Sequence, residues 1–289
     1  MRIGFIGTGK VATAFGRYLH YKGAAVSGFF DRHPEKTAHA SAQTQSTAFE
    51  SSADAASHSD MLLITTRDDQ IESTCRQLCR ENSIQPRHLV GHMSGAHSSR
   101  LLHNARNVGA TVFSLHPLQA FADEKESVEA LPRTYFSLEG DAAGLDPVMD
   151  LLAQMGNRYF TLSPEHKSLY HLSACIFSNY LVTLAASGMA ALEAAAIDPQ
   201  EGFQAMQPLI NGTLANIAQL GPGRALTGPI ARGDAGTISQ HLDALQAQGL
   251  DHIKSVYAFM GLKTLDLAGK EQTTPSDKMA AVKRLLEGH

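Results

Sequence analysis

The sequence predicts an α/β fold in which a doubly wound sheet is followed by an all-α C-terminal domain. Residues 1–162 alternate short apolar runs with helical segments, which is typical of parallel strands joined by right-handed helical crossovers. From Ser163 onward the strand pattern stops and only helical segments follow. We therefore place the domain boundary between residues 162 and 163, with residues 163–289 forming the helical domain.

Seven apolar runs of strand length are predicted strands. They are residues 2–7, 24–30, 61–66, 88–94, 110–115, 134–140 and 158–162. Helices are predicted over Lys10–Tyr21, from Pro34, over 69–81 and 98–107, and from Asp146-Pro147. In the second half, Ser163-Pro164-Glu165 has the residues of a helix start, and a helix of about 30 residues then runs to Ile197. Further helices fit 198–221, 236–247, 251–268 and 275–287.

The composition argues against several classes of partner. The 289 residues are 43% hydrophobic and 18% charged with a net charge of −4, so there is no basic surface for nucleic acid or an anionic membrane. No stretch reaches the ~18 unbroken apolar residues of a membrane span. Three cysteines cannot all pair and no signal peptide precedes the first strand, which together favour the cytoplasm. The histidine and cysteine spacings fit no zinc pattern, so no metal is predicted.

A glycine-rich turn between the first strand and the first helix indicates dinucleotide binding. The residues "IGFIGTGKVATAFG" contain Gly7-x-Gly9-x-x-Ala12, with Thr8, Lys10 and Val11 filling the turn. In a Rossmann-type sheet the first glycine permits the tight turn and the second lets the backbone approach a pyrophosphate. The small third residue lets the helix pack on the strand. The helix N-terminus then supplies N–H groups for the phosphates.

The form of the nicotinamide cofactor stays open in the sequence. Asp31 lies at the end of the second strand, where a carboxylate would accept hydrogen bonds from the ribose hydroxyls of NAD. Arg32 follows directly, with His33 and Lys36 close by, and these side chains could hold the 2′-phosphate of NADP. The sequence therefore predicts NAD or NADP without choosing between them.

Polar residues follow three later strands at the edge where ligands bind in open α/β sheets. Thr65 and Thr66 follow one strand, Ser94 the next and His116 the third. Ordinary loops are also polar, so each position alone is a modest signal. Together on one edge they predict a nicotinamide and substrate site, with Ser94 and His116 as the leading residues.

The first helix of the second domain carries a polar stripe on an otherwise apolar sequence. At 100° per residue, His171 lies 40° and Ser178 20° from Lys167, while Asn179 flanks the same groove. A solvent-facing stripe is one interpretation. Because the following residues are almost uncharged, we expect a mostly buried helix whose stripe lines a cleft. A desolvated Lys167 would then be a suitable proton donor, and Asn179 or Ser178 could orient the substrate.

Arg232 stands among small residues in a loop punctuated by glycine and proline. Its forked donors suit a substrate carboxylate. A pair with Asp234, or a role at a helix C-terminus, is an equally good interpretation.

Several motifs together resemble the "Rossmann-like plus DUF2520" group of oxidoreductases over roughly residues 1–265. They are the G-T-G-K-V-A turn, Ser94-Gly95-Ala96, His116-Pro117-Leu118-Gln119, the helix with Lys167, Tyr170-His171 and Ser178-Asn179-Tyr180, and Thr227-Gly228-Pro229 with Arg232-Gly233-Asp234. The group is similar in architecture to pyrroline-5-carboxylate reductase, ketopantoate reductase and the β-hydroxyacid dehydrogenases.

The resemblance implies a second domain like the C-terminal domain of 6-phosphogluconate dehydrogenase, which often builds a homodimer. It also implies that Lys167 and Asn179 occupy the positions of a proton-donating lysine and its asparagine. Thr227 and Arg232 would help to bind the substrate.

We therefore expect an NAD(P)H-dependent reductase of the carbonyl of a small 2-oxo carboxylic acid, with ketopantoate as one candidate. In this hypothesis Lys167 is the general acid, Asn179, Ser94, His116 and His171 complete the catalytic set, and Arg232, Thr227 and Ser178 contact the substrate. The alternatives are a cyclic-imine reductase of the pyrroline-5-carboxylate type and a non-catalytic NAD(P)-binding regulatory protein.

Overall fold

The computed structural model describes residues 1–271 and 275–288, which form two compact units. The first spans Met1–Asn179 and contains the sheet; the second spans Tyr180–His289 and is helical. The predicted boundary at 162/163 lies 17 residues before the division between the units. Residues 163–179, between the predicted boundary and the observed division, include a helix whose Lys167 and Tyr170 side chains contact the sheet. This segment therefore belongs to the first unit.

The first unit is built on one eight-stranded sheet with the order β3-β2-β1-β4-β5-β6-β7-β8. Its strands are β1 (Arg2–Ile6), β2 (Ala25–Phe30), β3 (Thr47–Ala48), β4 (Met61–Ile64), β5 (Leu89–His92), β6 (Thr111–Pro117), β7 (Phe136–Gly140) and β8 (Tyr159–Thr161). The order reverses at β1 and β4, as in a doubly wound sheet, and this confirms the predicted α/β class. The sequence missed β3, since two residues are too short for an alternation pattern to register.

One pair of strands corrects the expectation of a wholly parallel sheet. β7 runs antiparallel to β6, with Phe136 opposite Pro117 and Gly140 opposite Phe113. The helix between them, Glu124–Ala130, has seven residues and is therefore about 10 Å long. β6 is about 23 Å long, so this helix is too short to return the chain to the opposite edge of the sheet. The chain therefore starts β7 beside the end of β6.

Helices cover both faces of the sheet in the first unit. They are α1 (Lys10–Tyr21), α2 (Pro34–Thr44), α3 (Ser52–Ser57), α4 (Asp68–Arg80), α5 (His103–Asn107), α6 (Glu124–Ala130), α7 (Ala142–Met155) and α8 (Lys167–Phe177), with short 3₁₀ turns at Ser99–Leu102, Leu131–Arg133 and Pro164–His166. α7 begins before the predicted Asp146-Pro147 start, so Pro147 lies inside it. Successive side chains of β1 and β4 enter two separate apolar cores, one on each face.

The second unit contains α9 (Asn179–Ala194, which starts on the last residue of the first unit), α10 (Pro199–Leu220), α11 (Pro222–Ala225), α12 (Pro229–Arg232), α13 (Ala235–Ala247), α14 (Asp251–Glu271) and α15 (Ser276–Glu287). Its apolar core lies among α13, α14 and α15 and includes Ile238, Leu242 and Val282. The predicted all-α second domain is thus confirmed.

The predicted 30-residue helix differs from the structure in two respects. It divides at Ser178, whose φ of −115° and ψ of −71° depart from helical values. It is also mainly exposed rather than buried: α8 buries only Lys167, and α9 has no buried residue. The stretch Pro164–Ala194 has the length and the hydropathy, 1.5, of a membrane span, but length and composition alone are weak evidence for one.

Candidate functional site

The register of the sheet brings the sequence-predicted positions to one edge. Ile6, Ile64, His92 and Ser114 are paired in a continuous row across β1, β4, β5 and β6. Two residues further along each strand come Thr8, Thr66, Ser94 and His116, listed in the same order. The predicted edge residues therefore lie at the carboxyl ends of four neighbouring strands, which are spaced about 4.8 Å apart: His116 is the second-last residue of β6, and the other three follow their strands.

The glycine-rich turn has the geometry expected of a phosphate-binding turn. Gly7 has φ +105°, and a Cβ atom there would lie 2.7 Å from the backbone of Thr65, so only glycine fits. Gly9 precedes α1 and faces open space, since a Cβ atom there would meet nothing within 4 Å. Gly7 is thus required by the fold, while Gly9 leaves the N-terminus of α1 open to a ligand.

A cavity of about 750 Å³ extends from this turn and is the site whose residues fit a dinucleotide. Gly7, Thr8, Gly9, Lys10 and Val11 line it at one side. The remaining lining includes all the other predicted cofactor residues except Ser94, namely Asp31, Arg32, Thr65 and Thr66, together with His33, Lys36 and Phe121. The Lys10 amine donates a 2.6 Å hydrogen bond to the carbonyl of Ala122, which holds the segment containing Phe121 against the turn.

Asp31 is bound to the glycine-rich turn itself. Its Oδ2 atom accepts hydrogen bonds of 3.0 Å from the backbone N–H and the hydroxyl of Thr8, and Oδ1 accepts one from the N–H of His33. Burial raises the pKa of this carboxyl, but these hydrogen bonds outweigh it and the pKa is lowered. Asp31 is therefore ionised and occupied with holding the turn, while Arg32 and Lys36 carry positive charge beside it.

Ser94 is nearly buried, and its hydroxyl has its own partners. It donates to the Asp68 carboxylate at 2.8 Å and accepts from the backbone N–H groups of Ala96 and His97 at 3.2 Å. One donor and two acceptor positions are all that a hydroxyl offers. In this conformation Ser94 therefore shapes the loop after β5 and has no position left to orient a substrate carbonyl.

The amine of Lys167 lies in the interior of the first unit. The side chain is 1% exposed, and Nζ donates a 2.9 Å hydrogen bond to the hydroxyl of Ser114 on β6. Burial lowers its pKa to about 8, with the carboxylate of Glu139 acting in the opposite direction. Glu139 is itself buried on β7 opposite Ser114 and accepts two hydrogen bonds from Ser99. The first residue of the predicted polar stripe, Lys167, is thus buried and joins α8 to the sheet through a hydrogen bond.

His116 and His171 lie together beside Gly95 at the edge of the sheet. Nδ1 of His116 is 2.6 Å from the hydroxyl of Tyr170, and the rings of His116 and His171 meet edge to face at 6.3 Å. A Cβ atom on Gly95 would lie 2.7 Å from both Nε2 of His116 and Nδ1 of His171. Burial and the nearby Lys167 charge lower the pKa of His116 to about 3, so its ring is neutral at pH 7.

Two of the residues that organise this edge were missed in the sequence. Ser114 and Glu139 lie inside β6 and β7 and look like ordinary strand residues. A signal was present for Ser114, because it precedes His116 by two residues and therefore points to the same face of β6. Glu139 gives such a signal only once the antiparallel pairing of β7 is known.

Two family models match successive parts of the chain. A family described as "NADP oxidoreductase coenzyme F420-dependent" matches residues 2–95, and the "Domain of unknown function (DUF2520)" matches residues 134–264, a range that begins in the first unit. The chain is thus similar to Rossmann-like NADP oxidoreductases with a DUF2520 domain, as predicted. The predicted enzyme class and nicotinamide cofactor are thereby confirmed. No curated protein matches the sequence.

Solved structures show the same fold at low identity. A candidate NADP oxidoreductase from Bacteroides fragilis is 19% identical, with a TM-score of 0.74 over 91% of this chain and 97% of its own. An imine reductase from Myxococcus stipitatus in complex with NADP⁺ is 15% identical, with a TM-score of 0.66 over 89% and 92%. A pyrroline carboxylate reductase from Plasmodium falciparum with NADP bound is 11% identical, with a TM-score of 0.58 over 98% of each chain.

The remaining predicted residues of this DUF2520 oxidoreductase lie apart from the edge or in the second unit. Ser178 and Asn179 are exposed at the break between α8 and α9. Thr227 and Arg232 belong to the second unit and are exposed. Arg232 ends α12, and its charge contributes to the lowered pKa of Asp234, whose carboxylate is chiefly held by Thr237 at the start of α13. Arg232 thus lies at a helix C-terminus near Asp234, and its role in substrate binding stays a prediction.

Replacing Gly9 with alanine should weaken cofactor binding without harming the fold of this oxidoreductase. Its φ of −66° suits any residue, and the added methyl group occupies only the open space before α1. We expect the Kd for NADPH to rise at least 10-fold, measured by fluorescence titration, with an unchanged Tm.

Gly7→Ala is the matched variant for this prediction. Because it combines a positive φ with a backbone clash, it should cost about 2–4 kcal/mol of the free energy of unfolding. Equal NADPH affinity in Gly9→Ala and the unchanged protein would contradict the assignment of the turn.

The buried amine of Lys167 should make the stability of the protein depend on alkaline pH. Below pH 8 the amine is protonated in both the folded and the unfolded chain, and the fold bears the full cost of the buried charge. Between pH 8 and about 10.5 the unfolded chain binds more protons, so the free energy of unfolding rises with pH. A shift of this size corresponds to about 3 kcal/mol. Lys167→Met lacks this dependence.

Urea unfolding of both proteins, followed by circular dichroism at pH 7, 8, 9 and 10, measures the effect. The free energy of unfolding of the unchanged protein, minus that of Lys167→Met, should increase across this series. A difference that stays constant would show that the amine is not desolvated in the fold.

Proposed function

We propose that this oxidoreductase reduces a C=N bond of a small imine with NADPH. The observation that carries the proposal is the burial of Lys167. Its amine is bound to Ser114 inside the unit and does not line the cavity at the glycine turn. Reduction of a carbonyl needs a proton donor in contact with the developing oxyanion. An imine nitrogen is much more basic than a carbonyl oxygen, so a weaker proton donor is enough for its reduction.

The bound cofactor would supply the hydride, and the chain's own residues would position it. The turn residues from Gly7 to Val11 would hold the pyrophosphate at the N-terminus of α1. From there the carboxyl edge continues over β4 and β5 to Gly95 and His116, where we place the substrate. The names of two structural neighbours, an imine reductase and a pyrroline carboxylate reductase, support this class of substrate.

NADP is the form of the cofactor that the charges favour. Asp31, the residue that would bind the ribose hydroxyls of NAD, already accepts three hydrogen bonds from Thr8 and His33. Arg32 and Lys36 line the same cavity and are exposed, so both can approach a 2′-phosphate.

The carbonyl of a small 2-oxo acid is the second candidate substrate. It is favoured by the pKa of about 8 for Lys167, which keeps most of this amine protonated at pH 7 while making it a better acid than an ordinary lysine. In this alternative Lys167 is the general acid, and Ser178, Asn179, Thr227 and Arg232 keep their predicted substrate roles. Nothing in the chain favours ketopantoate over other 2-oxo acids.

A substrate panel separates the two candidates. Cyclic imines and 2-oxo acids, ketopantoate included, are each incubated with the protein and NADPH or NADH, and cofactor oxidation is followed at 340 nm. We expect cyclic imines with NADPH to give the highest kcat/KM, and Lys167→Met to lower it by 10-fold or more without abolishing it. Turnover restricted to 2-oxo acids and abolished in Lys167→Met would reverse the assignment.

We further propose that the second unit forms a homodimer. Large apolar side chains are exposed along α9 and α10, including Val182, Leu209 and Leu214 at 69%, 67% and 50%. A groove of about 680 Å³ on the same unit is lined mainly by apolar residues of α9, α13 and α14. Exposed apolar surface of this extent marks an interaction site, and a second copy supplies the matching apolar helix.

A cytoplasmic location stays a prediction, supported by three free cysteines.

Leu209→Glu should dissociate this dimer, because it places a charge on the exposed apolar face. Light scattering after gel filtration should give about 62 kDa for the unchanged protein, twice the chain mass of 31.0 kDa, and a monomer for the variant. Gln204→Glu, exposed about 140° away on the same helix, is the control and should stay dimeric. A monomeric unchanged protein, or one that is extracted only with detergent, would overturn the proposal.

A further inference from the structure

We propose that Tyr170 and His116 form a proton relay that ends at one small polar group beside Gly95, the imine nitrogen of the substrate, which His171 holds in place. The inference rests on the proposed function and adds a proton donor to it. It concerns residues of the first unit alone. Tyr170 and His171 come from α8, His116 from the end of β6, and Gly95 from the loop after β5.

The first step of the relay is a direct contact. The hydroxyl of Tyr170 lies 2.6 Å from Nδ1 of His116, which is a short hydrogen bond. Because the His116 ring is neutral at pH 7, one of its two nitrogens carries a proton and the other accepts one. When Tyr170 donates to Nδ1, the proton of the ring is on Nε2. That nitrogen faces Gly95.

The second step is the convergence of two imidazoles. A Cβ atom on Gly95 would lie 2.7 Å from both Nε2 of His116 and Nδ1 of His171, so the two nitrogens face the same glycine, and we place the substrate nitrogen next to both of them. Nδ1 of His171 is buried and has no hydrogen-bond partner among residues 1–271 and 275–288. A buried polar atom without a partner is costly, and such atoms in native proteins commonly belong to ligand or catalytic sites.

Two further contacts hold the pair in place. The Sγ atom of Cys175 lies 3.6 Å from Nε2 of His171, which leaves Nδ1 directed at Gly95. The hydrogen bond from Lys167 to Ser114 joins α8 to β6 one helical turn from His171 and two strand residues from His116. Lys167 is in this proposal a positioning residue, since it places His171 opposite His116 without touching the substrate.

The proton balance follows from these contacts. As the substrate carbon receives the hydride, the π pair of the C=N bond forms a new N–H bond with the proton of His116 Nε2. Nδ1 of the same ring takes the hydroxyl proton of Tyr170 and keeps the imidazole neutral throughout. The tyrosinate regains a proton from water after the product leaves. His171 holds the amine nitrogen through Nδ1. Each turnover thus consumes one proton from solvent.

The test begins with Tyr170→Phe, which removes the hydroxyl and keeps the ring that packs on Phe160. Tyr159→Phe, the same change at an exposed site on β8, is the matched control. With a cyclic imine and NADPH, Tyr170→Phe should lower kcat about 100-fold with a KM for NADPH within 2-fold of the unchanged protein. Tyr159→Phe should be fully active.

His171 provides a rescue pair. Asparagine places an amide atom near the position of Nδ1, whereas leucine places none. His171→Asn should therefore keep at least 10-fold more activity than His171→Leu. Equal activity of the two variants would show that His171 does not hold the substrate nitrogen.

A spectroscopic readout needs neither substrate nor cofactor. In protein labelled with ¹⁵N-histidine, Tyr170→Phe should shift the ring ¹⁵N signals of His116, assigned with His116→Gln, because Nδ1 of that ring loses its hydrogen bond. Unmoved His116 signals, or full activity of Tyr170→Phe, would overturn the relay while leaving imine reduction intact. If none of the imines tested causes the unchanged protein to oxidise NADPH, the proposed function fails. The ¹⁵N signals then still show whether Tyr170 and His116 are hydrogen-bonded.

Discussion

The site depends on one buried hydrogen bond, from the amine of Lys167 to the hydroxyl of Ser114. Burying an ammonium group is costly, and the lowered pKa of Lys167 reflects this cost. In return the bond fixes α8 against β6 in a single register. It brings Tyr170 and His171 to the end of the strand that carries His116, and the Glu139 carboxylate on the neighbouring strand partly balances the charge. A shift of α8 by one turn would move the helix side chains about 5.4 Å and separate the two imidazoles.

The architecture could be predicted from the sequence because it follows from local patterns. Alternating apolar strands and helices, Gly7 and Gly9 in one turn, and the loss of strand signals after Ser163 each depend on a few adjacent residues. The direction of β7 could not be predicted in this way, because it depends on the length of α6 and on which edge of the sheet the chain reaches. The boundary between the units is of the same kind, since α8 resembles the helices that follow it and is distinguished only by its contacts.

The site was predictable in its position and less so in its chemistry. The row of residues two positions beyond Ile6, Ile64, His92 and Ser114 follows from strand register, and its members were identified as strand ends. The partners of each side chain were not accessible, because they depend on packing between distant segments. Ser94 is bound to Asp68 and Lys167 to Ser114, and neither contact leaves a periodic signal. The exposure of α8 and α9 likewise contradicts the expected buried helix, because an apolar sequence does not show whether the surface that covers it belongs to the same chain.

The three hydrogen bonds accepted by Asp31 give it a structural role. In nucleotide-binding sheets the acidic residue at this position more often binds the ribose and selects the coenzyme. Here the acidic residue after β2 maintains the shape of the turn, whereas in the proposed cofactor site the discrimination between coenzymes would belong to Arg32 and Lys36. On that proposal, exchanging these surface cations alone would change the preferred coenzyme. A change at Asp31 would instead loosen the glycine-rich turn and weaken the binding of both coenzymes together.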